Sequence, residues 1–236
     1  MIFFMSDIKL SPWYRINHTQ DYVWVELLHG EHRVLSSGVL NGGLATATHL
    51  LNLKVPRFFE GTEHPAQTLQ SYAEGLGAKG PIVGMMTAAS MDSMRCYREL
   101  VQGIELVALV TCGLDNARRV GDPAEYRAMV SRPHEAGTIN IVVLSSAGLS
   151  LAAMVEAVQM ITEAKTAALM AAGISSPVSA EPATGTGTDA VAVVSGLGGE
   201  QVQYCGKHVL FGEVLGRITF NAVQDSIRWY RPPGDH

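Results

Sequence analysis

Four apolar runs rich in β-branched residues recur along the chain and restrict its fold more than any other feature of the sequence. They occupy residues 81–86, 105–111, 138–145 and 189–195, and each is bounded by glycine on at least one side. Short apolar runs of this kind are typical of strands that are buried on both faces. The chain is therefore predicted to form a sheet that is covered on both sides.

Three shorter strands are predicted near the N-terminus, at residues 14–17, 22–28 and 33–36. The sequence LHGEH at 28–32 predicts a turn between the last two of them. Strands that follow one another so closely pair in the antiparallel sense, because a parallel pair needs a long crossover connection. The sheet is thus predicted to open with antiparallel strands.

Two long helices are predicted in the second half of the chain. The first runs from Ser150, a suitable N-cap, to Gly173, a suitable C′ residue. Its polar stripe consists of Glu156, Gln159, Glu163 and Thr166. The second runs from about 207 to 230, with an apolar face made of Phe211, Val214, Leu215, Ile218 and Ala222.

Shorter helices are predicted at 66–75 and 122–130, and a loop rich in Ser, Thr, Pro and Ala separates the two long ones at 175–188. No repeat, charge tract or linker marks a domain boundary. Residues 1–236 are therefore predicted to form a single layered α/β (or α+β) domain, a mixed β-sheet with flanking helices.

Composition limits the partners and the compartment. The chain has 236 residues, a hydrophobic content of 47% and a formal charge of −5 from 22 acids and 17 bases, which are scattered. The basic residues form no stripe along the sequence, so nucleic-acid binding is not predicted. The apolar runs are far shorter than the roughly 18 residues of a spanning helix, so we expect no membrane segment. The N-terminal MIFFM has no basic region and is too short for the apolar region of a signal peptide, so a cytoplasmic location is expected. Cys96, Cys112 and Cys205 lack the spacing of a disulfide framework or a zinc cluster, so reduced thiols are predicted.

Polar, glycine-rich loops adjoin the predicted strands and are the candidates for chemistry. They are SSGVLNGG (36–43), TCGLDNARRVGD (111–122), GTIN (137–140) and TGTGTD (184–189). The second loop presents both charge signs and an amide directly after the apolar run 104–110. In the fourth, alternating glycine is expected to place Thr184, Thr186 and Thr188 on one side of an extended segment. Such groups suit a polar ligand with many carbonyls, or an oxyanion.

Each loop also has an interpretation that involves no ligand. Glycine-rich turns after strands are mostly turns, and adjacent arginines such as Arg118 and Arg119 are commonly solvated. Asp115 and Asp122 can cap a turn and a helix. By the same interpretation, Thr138 and Asn140 are satisfied polar groups of the core.

Signatures of familiar catalytic sites, such as a zinc-protease helix or a nucleophile elbow, are absent from the sequence. His29 and His32 lie in a predicted hairpin turn with no third ligand in evidence, so they are interpreted as surface residues and no metal site is predicted. Cys112 is a candidate nucleophile if Arg118 and Arg119 lower its pKa. The alternative is a buried and inert thiol.

Six segments, in order, resemble the adenosylcobinamide amidohydrolase (CbiZ) family. They are LSSGVLNGG (35–43), GMMTAA (84–89), TCGLDNARRVGD (111–122), GTINIVVLS (137–145), TEAKTAAL (162–169) and TGTGTDAVAVVSG (184–196), and the likeness covers about residues 33–225. The resemblance implies corrinoid salvage by hydrolysis of the amide that joins the aminopropanol arm to the corrin ring of adenosylcobinamide. The products are adenosylcobyric acid and 1-amino-2-propanol. For some members it also implies action on complete corrinoids such as pseudocobalamin.

A corrinoid is a broad apolar disc fringed with primary amides, so its site should combine an apolar floor with amide-pairing groups. The candidate substrate-binding residues are Ser36, Ser37, Asn41, Asn116, Arg118, Arg119, Asn140 and Thr184. The arginines would hold a propionamide or a phosphate of the nucleotide loop. The cobalt enters as part of the substrate and no other cofactor is expected. Proteins that replace the lower cobalt ligand with their own histidine often carry the motif Asp-x-His-x-x-Gly. His134 and Gly137 match this motif, but Arg132 stands where it requires Asp, so His134 is not expected to bind the cobalt.

Amide hydrolysis requires an attacking atom, stabilisation of an oxyanion and a proton for the departing amine. We assign the acid or base to Asp115 or Asp189, with the hydroxyls of Thr186 and Thr188 and the glycine amides as oxyanion donors. A covalent variant would use Thr186, Thr188 or Cys112 as the nucleophile. The residues themselves leave this choice open.

Two other functions are compatible with these residues. A threonine-rich loop before a strand also suits an amidase or acyltransferase that acts on small amides with a threonine nucleophile. A non-catalytic corrinoid-binding module would need only the amide-pairing loops. Pairing of subunits through the small residues Gly212 and Gly216 is a further open point.

Overall fold

The computed structural model describes residues 9–57, 64–126, 129 and 138–230. Its helices are α1 (Pro65–Gly75), α2 (Leu151–Ala171) and α3 (Leu210–Tyr230), with a 3-10 turn at Met91–Ser93. Its strands, in chain order, are β1 (Lys9–Leu10), β2 (Tyr14–His18), β3 (Tyr22–Leu27), β4 (His32–Ser36), β5 (Gly43–Ala47), β6 (His49–Lys54), β7 (Ile82–Thr87), β8 (Arg95–Val101), β9 (Ile104–Cys112), β10 (Ala117–Arg118), β11 (Ile139–Ser145), β12 (Ala147–Leu149), β13 (Gly185–Thr186), β14 (Ala190–Val194) and β15 (Gly198–Val202).

The strands form two principal sheets. One has five strands in the order β1-β2-β3-β6-β7, and the other has six in the order β5-β4-β14-β11-β9-β8. Each is mixed, since β6 and β7 pair in parallel in the first sheet and β11 and β14 in the second. Two-stranded ladders join β10 to β13 and β12 to β15. The predicted class, a layered α/β (or α+β) fold with a mixed β-sheet, flanking helices and antiparallel N-terminal strands, is confirmed, although the strands form two principal sheets rather than one.

The molecule has four layers, which pack together through apolar side chains. Helix α1 packs on the outer face of the five-stranded sheet, the two sheets pack face to face, and α2 and α3 cover the far side of the six-stranded sheet. On β9, for example, Val107 and Leu109 enter the core between the sheets, whereas Ala108 and Val110 enter the core beneath the helices. The central strands are therefore buried on both faces, as their apolar runs predict.

The long helices begin and end close to their predicted bounds. The Ser150 hydroxyl accepts a hydrogen bond from Ala153 N at 3.0 Å, and Gly173 follows α2 with φ +65°, a conformation that favours glycine. Helix α3 begins three residues later than predicted. Its Gly212 lies against the backbone of 205–206, and a Cβ on Gly216 would stand 3.3 Å from Met160 Cε on α2. Both glycines therefore serve close packing within this chain.

Two predictions about secondary structure are wrong, and some strands were not predicted. The turn at 28–32 exists, but β3 and β4 are not paired, because β4 forms ladders with β5 and β14 in the other sheet. His32 is consequently buried, so its interpretation as a surface residue is wrong, and its ring bonds to Leu28 O and Ser195 O, each at 3.1 Å. Residues 122–126 form no helix, and most of the remaining predicted helix lies outside the described residues. The strand-rich segment 43–54 and strand β8 were missed by the sequence patterns.

None of the helices in the part of the chain that the structure describes is both long and apolar enough to cross a membrane.

Candidate active site

The polar loops lie together at one edge of the six-stranded sheet, where its strands begin or end. Strands β4 and β9 end there, while β11 and β14 begin there, because β4 and β9 run antiparallel to the two central strands. The register places Asn140 beside both Thr111 and Ala190. At the same edge, Ser37 N donates to Val191 O at 2.9 Å. The four loop segments thus meet although they are distant in sequence.

The short ladder β10–β13 joins the TCGLDNARRVGD loop to the TGTGTD loop. Ala117 pairs with Thr186 and Arg118 with Gly185. The hydroxyl of Thr184 accepts a hydrogen bond from Val120 N at 2.8 Å. Only Gly185 and Thr186 are extended, and a turn follows at 187–188. The expectation that the three threonines lie along one side of an extended segment is therefore wrong.

Asp189 occupies the centre of this edge, with a side chain that is 12% exposed. Its Oδ1 accepts hydrogen bonds from the Thr186 hydroxyl at 2.5 Å and from Ile139 N at 3.0 Å. Its Oδ2 accepts one from Thr186 N at 3.1 Å and forms an ion pair with Lys165 Nζ. Because charge-assisted bonds of this kind are strong, they hold the carboxylate in one orientation against the Thr186 hydroxyl.

Lys165 is a functional candidate that the sequence patterns missed. It lies on the covered face of α2, between the buried residues Ile161 and Leu169, and its side chain is 10% exposed. A buried ammonium is unfavourable unless it is paired, so its partner Asp189 is needed. The available signal was a lysine on the apolar face of an otherwise well-patterned helix.

Gly185 leaves the space that this ion pair occupies. A Cβ there would stand 2.8 Å from Lys165 Nζ and even closer to Asp189 Oδ2. The next residue on α2 also contacts the loop, since the Thr166 hydroxyl donates to Thr184 O at 3.1 Å. Helix α2 thus fixes the TGTGTD loop at two successive residues.

Asn140 lies beneath the site and is 1% exposed. Its Nδ2 donates to Asn52 Oδ1 at 2.7 Å and to Met86 O at 2.9 Å. Asn52 in turn donates to the Thr111 hydroxyl at 2.9 Å. These bonds join the two sheets. Because Nδ2 donates two of them, both amide protons of Asn140 are engaged within the protein.

Two threonines beside Asp189 differ in their surroundings. Thr138 is buried, and its hydroxyl donates to Thr188 O at 2.6 Å. Thr188 itself is half-buried in the turn that precedes Asp189. The turn is therefore tied to the start of β11 as well as to α2.

Asn116 has a buried acceptor without a partner. Its backbone O accepts from Gly187 N at 3.2 Å, which places the residue beside the turn at 187–188. Its side-chain Oδ1 is buried, and no residue that the structure describes donates to it. A buried polar atom with no hydrogen bond is uncommon, and a site that receives ligand is one setting where it occurs.

The other charged candidates lie further towards solvent. Asp115 has a side chain that is 56% exposed, and it contacts the Tyr230 hydroxyl and, at 3.9 Å, Arg57. Arg118 bonds to Pro123 O at 3.0 Å and to Glu125, and Arg119 bonds to Pro182 O at 3.1 Å. Asp115 is therefore much less enclosed than Asp189, and both arginines tie loops of the protein together.

The three candidates of the first loop also bond within the chain. The Ser36 hydroxyl accepts from Gly38 N at 2.9 Å, and that of Ser37 accepts from Val191 N at 3.0 Å. Asn41 has φ +54° and donates to Ile82 O at 2.8 Å. The loop is thereby fixed to both sheets at the edge of the site, and its role in binding substrate stays a prediction.

Cys112 ends β9 and is fully buried, with its N–H donated to the Ser93 hydroxyl at 3.1 Å. Burial, and to a lesser extent the charge of Asp189, raises the pKa of this thiol. The condition for an activated Cys112, a pKa lowered by Arg118 and Arg119, is therefore not met. This leaves the interpretation of Cys112 as a buried and inert thiol.

Within residues 9–57, 64–126, 129 and 138–230, no three His, Cys, Asp or Glu side chains stand close enough together to hold a metal ion. His134 and Arg132 lie outside the described residues.

Comparison with known proteins assigns the chain to a class of protein. A family model described as adenosylcobinamide amidohydrolase matches residues 9–232. A protein of Methanosarcina mazei named adenosylcobinamide amidohydrolase is 29% identical over 207 residues, which are 84% of this chain and 91% of that protein. The chain therefore belongs to a class of enzymes that hydrolyse amide bonds. The chain is a member of the adenosylcobinamide amidohydrolase family.

A second relative is an uncharacterized protein of Methanocaldococcus jannaschii. It is 34% identical over 163 residues, and the match covers 63% of this chain and 64% of that protein. This chain therefore spans slightly less than two thirds of that relative's length.

Two solved structures are similar to this chain only at low levels. A protein from Pyrococcus horikoshii has 11% identity and a TM-score of 0.40, with 96% of this chain and 81% of that chain covered. A β-aminopeptidase from a Burkholderia species has 12% identity and a TM-score of 0.43, with 89% and 78% covered.

Proposed function

We propose that the protein hydrolyses the amide between the aminopropanol arm and the corrin ring of adenosylcobinamide. The products are adenosylcobyric acid and 1-amino-2-propanol, and complete corrinoids such as pseudocobalamin are further substrates. The corrinoid brings its own cobalt as part of the substrate, and the reaction takes place in the cytoplasm. One domain, residues 1–236, carries this activity.

The contact between Asp189 and the Thr186 hydroxyl carries the proposal. The Thr186 hydroxyl donates a hydrogen bond to the Asp189 carboxylate at 2.5 Å, so the carboxylate is placed to act as the base and the hydroxyl as the attacking oxygen in amide cleavage. The low exposure of Asp189 and Lys165 strengthens their electrostatic effect on charge that develops in the reaction. Asp189 is thus the stronger of the two carboxylate candidates, since Asp115 is largely solvated.

Neighbouring groups support binding of an amide-fringed ligand. The buried Oδ1 of Asn116 is an acceptor suited to the N–H of a primary amide. Asn41, Ser36, Ser37 and Thr184 lie on the loops that border the same edge, and Arg118 and Arg119 lie beyond them. Binding a broad ligand requires several such contacts around one reacting bond.

Incubation of the purified protein with adenosylcobinamide, followed by mass analysis of the corrinoid, tests the proposal directly. We expect the corrinoid to lose the mass of the aminopropanol arm and free 1-amino-2-propanol to accumulate in equal amount. A variant with Asp189 replaced by Asn should release neither product. As a matched control, replacement of the exposed Asp92 by Asn should leave the rate unchanged.

Two other results would replace this function with another. Tight binding of adenosylcobinamide without turnover after long incubation would indicate a corrinoid-binding module. Turnover of small amides together with a chain cleaved before a threonine would indicate an amidase or acyltransferase with a threonine nucleophile.

A further inference from the structure

Thr186, Asp189 and Lys165 form a continuous chain of polar contacts from the edge of the site to helix α2. The Thr186 hydroxyl bonds to Asp189 Oδ1, and Lys165 Nζ bonds to the other oxygen of the same carboxylate. The two contacts use different oxygens, so neither excludes the other. Lys165 thereby leaves Oδ1 facing the hydroxyl.

Burial of the ion pair costs desolvation free energy, and the pair occupies space that only glycine at position 185 leaves open. Both side chains are close to 10% exposed, at 10% for Lys165 and 12% for Asp189. A buried ion pair often contributes little net stability, since desolvation offsets the attraction. Moreover, only a residue without a side chain at position 185 leaves the pair undisturbed. A pair that is buried under these constraints is a candidate for a role in the reaction itself.

We propose that amide cleavage passes through an ester on Thr186, and that Lys165 is a positioning residue that orients Asp189 as the base for this hydroxyl. The inference rests on the proposed function and deepens it. It selects Thr186 over a directly activated water and adds Lys165 to the site.

The first half of the reaction forms the ester on Thr186. The Thr186 hydroxyl gives its proton to Asp189 Oδ1 while Oγ1 forms a bond to the substrate carbonyl carbon. The carbon–nitrogen bond then breaks, the proton moves from Asp189 to the departing nitrogen, and 1-amino-2-propanol leaves. The corrin acyl group remains on Thr186 as an ester.

Water completes the reaction in the second half. It attacks the ester carbonyl and gives a proton to Asp189, the bond to Oγ1 breaks, and the proton returns to Thr186. The net change is the addition of one water across the amide. Lys165 keeps its bond to Asp189 Oδ2 throughout and transfers no proton.

Trapping with hydroxylamine on the wild-type protein tests the ester without any substitution. We expect a corrin hydroxamate to form at the expense of adenosylcobyric acid, while kcat/KM for release of aminopropanol stays constant as hydroxylamine rises. Absence of hydroxamate, or an increase in that kcat/KM, would mean attack on the amide itself and would overturn the ester.

Substitutions test the two side chains. Thr186→Ala should lower kcat by about a hundredfold or more, and Thr186→Ser should restore much of it. Lys165→Met should lower kcat by a similar factor with KM within about threefold, because its effect acts through the base rather than through binding. Lys207→Met is the matched control, since Lys207 pairs with Glu163 at the surface and should keep the wild-type kcat.

Gly185→Ala provides a second route, because it displaces the ion pair without removing a functional group. We expect kcat to fall by at least about tenfold, with wild-type values for Gly199→Ala, where a Cβ meets nothing within 4 Å. Normal kcat in both Lys165→Met and Gly185→Ala would overturn the role of Lys165. Absence of aminopropanol release by the wild type would instead refute the proposed function, so the two failures are distinguishable.

Discussion

Asn140 on β11 donates a hydrogen bond to Asn52 on β6 at 2.7 Å, across the interface of the two sheets. Both residues are buried, and each also bonds to a further group, Met86 O for Asn140 and the Thr111 hydroxyl for Asn52. The contact therefore fixes how the two sheets are aligned at the edge where the site lies. It links a polar residue of the core to the geometry of the candidate site.

Asn140→Ala should destabilise the fold. The substitution leaves Asn52 Oδ1 and Met86 O without the bonds that Asn140 provides, and each buried unpaired group costs about 1–3 kcal/mol. We expect the free energy of unfolding in urea to fall by about 2–3 kcal/mol. Gln20→Ala, which removes an exposed bond to Asp92, should change it by less than about 0.5 kcal/mol. Equal small changes in both variants would show that the inter-sheet bonds contribute little.

The strands and long helices could be predicted because their signals are local. The apolar run of β9 and the capped, well-patterned α2 each carry their own start and stop signals within a few residues. The pairing of β4 could not be predicted, since a turn at 28–32 fixes only the direction of the chain. Its partners β5 and β14 are chosen by contacts that are distant in sequence.

Some residues of the candidate site could likewise be predicted from the sequence, and others could not. Asp189 and Thr186 could be selected as candidate catalytic residues because both lie in one polar loop, directly before a buried strand. Lys165 could not, because a single lysine on α2 is ordinary until its partner's position is known. Likewise, nothing in the sequence near Asn140 indicates that Asn52 stands opposite it.

Asp189→Asn and Asp115→Asn should differ sharply in activity. The first removes a carboxylate that accepts the Thr186 proton, and we expect kcat for adenosylcobinamide to fall by about a hundredfold or more. The second changes a side chain that is 56% exposed, and kcat should stay within about threefold. Steady-state kinetics with folding checked by circular dichroism decides between them. Near-normal kcat in both would mean that neither carboxylate is the base.

Cys112 should be unreactive in the folded protein and dispensable for catalysis. Burial raises the pKa of Cys112, and it raises that of Cys205 to about 12, so almost no thiolate exists at either residue below pH 9. Treatment with iodoacetamide between pH 7 and 9, followed by peptide mass analysis, should leave both unmodified. The same treatment in urea should modify them. Cys112→Ala should keep kcat/KM within about threefold, a result that a catalytic thiol would not allow.

Tyr97 should make stability depend on pH in the alkaline range. Burial, together with the hydrogen bond to Asp225 on α3, raises the pKa of Tyr97 to about 12, from about 10 in the unfolded chain. Between these values only the unfolded state loses the proton, so stability is present below pH 10 and falls as pH rises towards 12. The free energy of unfolding should fall more steeply over that window in the wild type than in Tyr97→Phe. The two curves should run parallel below pH 9, and parallel curves up to pH 12 would rule out the effect.

Asn116 should contribute to binding of the corrinoid rather than to the chemical step. Its buried Oδ1 lacks a donor among the described residues and lies on the loop beside Gly187, so an amide N–H of the substrate is a suitable partner. We expect Asn116→Ala to raise KM for adenosylcobinamide by about tenfold, equal to one lost hydrogen bond of about 1.4 kcal/mol, with little change in kcat. Asn17→Ala, which removes a bond to Tyr22 on the five-stranded sheet, should leave both constants unchanged. A fall in kcat at constant KM would instead assign Asn116 to the transition state, as a group that meets the developing oxyanion through Nδ2.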